Sequence, residues 1–89
     1  LLTAARWGHF EEVRMFLKRG EDIEQRGGSF DRPALFEAVM CNHYDVALML
    51  LENGANVMSL DDGLWTPLHV AAHHNSMECA SLLLDYGAD

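Results

Sequence analysis

The stretch "DDGLWTPLHVAAHHNS", Asp61 to Ser76, admits two readings, and the fold turns on which one holds. Three histidines fall within six positions, and His69 and His73 stand four apart. A helix would carry both on one face, as helical metal ligands require. The same letters contain T-P-L-H-V-A-A, Thr66 to Ala72, a phrase with another meaning if its surroundings recur along the chain.

They do recur. "FLKRG" ends at Gly20, "LLENG" at Gly54 and "LLDYG" at Gly87, spacings of 34 and 33 residues. The same register aligns Phe16 and Leu17 with Leu50 and Leu51 and with Leu83 and Leu84. It aligns Ala4 and Ala5 with Ala38 and Val39 and with Ala71 and Ala72. Gly8, Asn42 and Asn75 fall in step, as do Asp22, Asn56 and Asp89. A fixed period of this length marks a repeat architecture.

The chemistry inside each unit explains the register. The segment Pro67 to His74 runs into Asn75, which tolerates the left-handed conformation that ends a helix, and Gly8 and Asn42 serve equally. A second segment, Met77 to Tyr86, carries apolar residues near helical spacing and stops at Gly87. Each unit therefore reads as two short antiparallel helices joined by a tight turn. Pro67 suits a first helical turn, where its missing N–H costs nothing. Paired small residues on the first helix let neighbouring units approach, and the Leu-Leu or Phe-Leu pair on the second fills the core between them. One unit cannot bury both faces alone, so the units must stack.

T-P-L-H-V-A-A over residues 66–72, followed by L-L-L-D-Y-G-A-D over residues 82–89, resembles the ankyrin repeat. The second unit resembles it as "ALFEAVMCNHYDVALMLLENGAN" and the first as "LLTAARWGHFEEVRMFLKRGED", so the likeness spans essentially the whole chain. It implies one all-α ankyrin-repeat solenoid: a partial first repeat over about 1–26, a second over 27–60 and a third over 61–89 that stops before its final loop. Stacked helix-turn-helix units would carry β-hairpin fingers to one side and form a concave groove that binds other proteins. The chain opens inside a helical pattern and stops at "GAD", which leads us to expect a longer array around it.

Three departures from the family pattern stand out. The second unit has Pro33, Ala34, Leu35 and Phe36 in place of T-P-L-H, so only Thr66 and His69 can make the brace the family builds from that Thr and His. In the finger before Thr66, Gly63 sits one place early and Leu64 stands where the family usually has glycine. The finger containing "RGGSFD", residues 26–31, is one residue longer. Both tips should differ in shape from the common type.

Composition limits the function. With 14 acidic against 6 basic side chains, the formal charge of −8 repels phosphates, so neither nucleic acid nor an anionic membrane is an expected partner. At 49% hydrophobic residues the chain is too apolar for intrinsic disorder, and no apolar run reaches the length of a membrane span. Cys41 and Cys79 do not form a secreted disulfide framework; they read as thiols of a reducing compartment, cytoplasmic or nuclear.

Chemical readings of the side chains are weak. Zinc hydrolases place glutamate directly after the first histidine of the helical pair, as the base; here Val70 follows His69, and no third ligand is indicated. Cys79 occupies a core position of a second helix, and "RGGS" lacks the lysine and helix start of a phosphate loop. Glu11, Glu12, Asp45 and Glu78 read as solvated charges near helix N-termini. Met40, Met49, Met58 and Met77 read mostly as core or groove lining. No catalytic residue, metal, cofactor or small-molecule substrate is expected.

Carried over position by position, the resemblance points to partner contacts at finger tips and at the exposed ends of first helices. These are Arg6, Trp7 and Arg26; then Ser29, Phe30, Arg32, Met40, Cys41 and Leu60; then Asp62, Trp65, His73 and His74. Aromatic, methionine and arginine side chains are what interfaces enrich. The partner expected is an extended or helical protein segment with an apolar anchor, its acidic side chains meeting Arg6, Arg26 and Arg32. The alternative is an architectural or substrate-recognition part of a multidomain protein, such as a ubiquitin-ligase adaptor or a phosphatase-targeting subunit.

Overall fold

In the computed structural model, which describes residues 1–88, the helices come in pairs. They are α1 (Leu2–Arg6) and α2 (Phe10–Lys18), α3 (Ala34–Met40) and α4 (Tyr44–Glu52), α5 (Pro67–His73) and α6 (Met77–Asp85). Asp89, expected to match Asp22 and Asn56, lies outside the described residues.

Each turn within a pair is made by the residue that the register singled out. Gly8, Asn42 and Asn75 have φ of +71°, +57° and +57°, the left-handed conformation. The chain then folds back the same way three times: the N–H groups of His9, His43 and Ser76 donate to the carbonyls of Ala4, Ala38 and Ala71 at 2.9, 2.9 and 2.8 Å. These bonds satisfy carbonyls that a helix end would otherwise leave open. At Gly8 a second constraint applies, because a Cβ there would lie 2.6 Å from His43 Nδ1.

The first helices of the pairs, α1, α3 and α5, pack side by side, and the second helices, α2, α4 and α6, pack behind them. Small residues, Ala5, Ala34, Ala38 and Ala71, are wholly buried on the first helices. Val13, Leu50, Leu83 and Cys79 fill the layer from the second. Full burial of each such Leu or Val is worth about 1.5–3 kcal/mol, which a single pair cannot gather on both faces. A polar ladder repeats across the unit boundaries. His43 Nε2 lies 3.0 Å from the Arg6 carbonyl, and one unit later the Ser76 hydroxyl donates to the Met40 carbonyl at 3.3 Å. Asn42 adds to it, its Oδ1 accepting from the Cys79 N–H at 3.3 Å.

The fingers are short. The first closes through one antiparallel bridge in which Gly27 and Arg32 exchange N–H···O bonds of 3.2 and 3.0 Å. The second closes one residue tighter, through the Asp61 N–H to the Trp65 carbonyl at 2.9 Å. The two tips are joined where the Asp62 N–H donates to the Phe30 carbonyl at 2.9 Å. With glycine displaced to position 63, Leu64 itself takes the left-handed conformation at φ +65°, and Asp31 does so in the first finger at +53°. Leu64 is 72% exposed, so no packing repays the steric cost of that backbone. Of the methionines, Met49 is core and Met40 half-buried; Met58 and Met77 are exposed and line neither core nor groove.

Candidate functional site

Asp61 organises the joined fingers. Its side chain is only 2% exposed and its Oδ1 accepts from the N–H groups of Gly63 at 2.8 Å and Trp65 at 2.9 Å. Its Oδ2 accepts from Arg32 Nε at 2.9 Å, and the Arg32 side chain is 12% exposed. Burial by itself pushes the Asp61 carboxyl up. The Trp65 N–H, the Arg32 guanidinium and the Gly63 N–H together outweigh it and hold the carboxyl below its ordinary 3.8. Asp61 thus clasps Trp65 by both its backbone groups and ties the second finger to the first.

Arg32 is fixed from its other side as well. Its guanidinium carbon lies 4.6 Å from the centre of the Phe30 ring and 5.6 Å from that of Phe36. Such stacking suits the planar guanidinium. Arg32 was expected to face an acidic partner; its charge is instead neutralised within the chain. Arg26 is likewise engaged, donating to the carbonyls of Asp31 and Leu60.

Around this pair opens a mainly apolar cleft of about 430 Å³. Phe30 comes from the first finger, Met40 from the end of α3, Trp65 and Gly63 from the second finger, and His73 and His74 from the end of α5, with Arg32 and Asp61 between them. The rings touch in series: Trp65 meets His73 edge-on at 5.3 Å, and His73 meets His74 edge-on at 5.1 Å. A smaller recess of about 160 Å³ adjoins it, sharing Phe30, Arg32 and Met40 and adding Arg6, Ser29, Glu37 and the two glycines Gly27 and Gly28.

Six of the residues named from sequence, Phe30, Arg32, Met40, Trp65, His73 and His74, therefore share one cleft, and Arg6 and Ser29 line the neighbouring recess. Trp7, 63% exposed where α1 ends, lines neither, and nor do Arg26, Cys41, Leu60 or Asp62. Sequence reasoning missed Asp61 and Gly63 as parts of the site.

His69 belongs to the scaffold. Thr66 Oγ1 accepts from the His69 N–H at 3.3 Å while His69 Nδ1 accepts from the Thr66 N–H at 3.1 Å, a reciprocal cap on α5. Among the described residues no three His, Cys, Asp or Glu side chains converge as a metal site would need. Burial pushes the Cys79 thiol up to about 11, and the carboxylates of Glu78 and Asp45 add to the shift. At that value it is a packing residue and not a thiolate.

A family profile described as "Ankyrin repeats (many copies)" matches residues 1–51 and again 35–84. Similar curated proteins include "Ankyrin repeat and SOCS box protein 16" of Homo sapiens, 34% identical over 88 residues, which covers 99% of this chain and 19% of that protein. The "Putative ankyrin repeat protein" of Rickettsia felis is 34% identical over 97 residues, covering 100% of this chain and 42% of its own length. "Ankyrin repeat and KH domain-containing protein mask-1" of Caenorhabditis elegans is 33% identical over 87 residues, 97% of this chain and 3% of that protein. The chain spans less than half the length of each of these relatives.

Proposed function

The chain belongs to the ankyrin repeat family, and from that premise we propose that its apolar cleft receives a bulky apolar side chain from a segment of a partner protein. Ankyrin repeats are generally protein-binding modules and typically not catalytic. The observation that carries the reading is the chemistry of the lining. Its aromatic and methionine side chains surround an ion pair whose carboxylate, that of Asp61, is already engaged by Arg32 and by the N–H groups of Gly63 and Trp65. A hollow of that kind favours an apolar anchor over a charged one. In this reading the protein is not an enzyme and uses no cofactor, and its two unpaired cysteines fit a reducing, cytoplasmic or nuclear setting.

Random peptides displayed on phage and selected on this chain supply the test ligand. Trp65→Ala should weaken a selected peptide by about thirtyfold, the usual effect of a tryptophan at the centre of an interface, while Trp7→Ala changes it less than twofold. Unchanged affinity in a folded Trp65→Ala variant would remove Trp65 from the site.

A second reading makes the chain the recognition or spacing part of a longer, multidomain protein, as in an adaptor. It is supported by relatives that are much longer than this chain and whose names include a SOCS box or a KH domain.

A further inference from the structure

We infer that the docking site has a second point of recognition: the recess beside the apolar cleft takes a primary amide, the side chain of Asn or Gln, from the same partner segment. The inference rests on the apolar cleft being the anchor site. The recess presents Arg6 and Glu37, opposite charges carried on the neighbouring helices α1 and α3. Among the described residues they form no ion pair with each other, and neither side chain has another hydrogen-bonding partner in the chain. Arg6 is exposed and Glu37 half-buried, so both keep access to a ligand.

A guanidinium supplies only donors and a carboxylate only acceptors. A ligand that meets both must carry an acceptor and a donor side by side. A carboxylate from the partner would satisfy Arg6 but face Glu37, and an ammonium would do the reverse. A primary amide offers its oxygen to Arg6 and its NH₂ to Glu37, leaving no like charges opposed. Gly28, at φ +78°, brings the finger backbone beside Glu37 at the edge of the recess. The two hollows share Phe30, Arg32 and Met40, so the amide and the apolar anchor must be near neighbours along the partner chain.

The test uses the displayed peptides above and titration calorimetry with this chain. Selected peptides should carry Asn or Gln close to a bulky apolar residue, and alanine in place of the amide should weaken binding about tenfold, as for hydrogen bonds to charged groups. Arg6→Ala and Glu37→Ala should each cost a similar factor against the amide peptide and nothing further against its alanine version, the coupling expected of groups in contact. Both sites are accessible at the surface, and circular dichroism would confirm that the variants fold. Peptides sensitive to Trp65→Ala but indifferent to Arg6→Ala and Glu37→Ala overturn this inference and leave the anchor site standing. A selection enriched in acidic or basic residues at that place also overturns it. A selection yielding no peptide sensitive to Trp65→Ala overturns both together.

Discussion

At the start of α5, Thr66 and His69 satisfy each other within one turn, whereas the equivalent residues at the start of α3, Pro33 and Phe36, have no hydrogen-bonding side chain between them. The backbones are nonetheless alike, with φ and ψ of −93° and 167° at Thr66 and −73° and 171° at Pro33. What holds α3 in that geometry comes from elsewhere. Phe36 is wholly buried, Arg32 lies over its ring, and Asp61 of the other finger holds Arg32 in place. The third unit braces itself locally, and the second leans on its neighbour. Because Asp61 also clasps Trp65, the group that steadies the second unit also sets the wall of the cleft.

Asp61→Ala should give the largest effect. It leaves Arg32 without its counter-charge and the N–H groups of Gly63 and Trp65 without their acceptor, a loss of about 3 kcal/mol in urea unfolding. Amide exchange should rise at α3 as well as in the second finger; if α3 keeps full protection, the second unit does not lean on its neighbour. The same carboxyl predicts a pH response. Held below 3.8 in the folded state, it stabilises fully above about pH 4 and ceases to do so as pH falls through its lower folded value. Asp61→Asn should remove that part of the acid sensitivity.

Thr66→Ala should cost less, about 1 kcal/mol, the usual effect of losing a helix cap. Its exchange signature should stay within α5, and spread into α3 would contradict the local nature of the brace. Leu64→Gly has the opposite sign. It relieves a left-handed leucine that packs against little and should raise stability by about 0.5–1 kcal/mol in the same unfolding experiment. A loss would mean that the leucine side chain contributes something its exposure does not suggest.

Sequence made legible whatever repeats. Gly8, Asn42 and Asn75 announced the turns, and Thr66 with His69 announced the one complete cap, because each recurs or belongs to a fixed phrase. The Arg32–Asp61 pair does neither. In the repeat register Arg32 matches Trp65 and Asp61 matches Gly27, so no periodicity links the two, and 29 residues separate them. Arg32 therefore read as a surface charge for a partner, and Asp61 went unread. The cleft residues were found from family position and apolar character. Which of them face one another depends on how the two fingers join, and that is settled by Asp61 and by the bond between Asp62 and Phe30. Exposure of Met58 and Met77 was equally hidden, since methionine sits in core and surface alike.

We propose that a partner segment docks on the Trp65 cleft. Nitrogen-15 NMR of this chain titrated with a selected peptide tests it directly, since Trp65 and Trp7 give the two indole N–H signals. Docking there should shift the Trp65 indole along with the amides of Phe30, Met40, His73 and His74, while the Trp7 indole stays in place. Shifts at Trp7 or along α2, α4 and α6, with Trp65 unmoved, would contradict it.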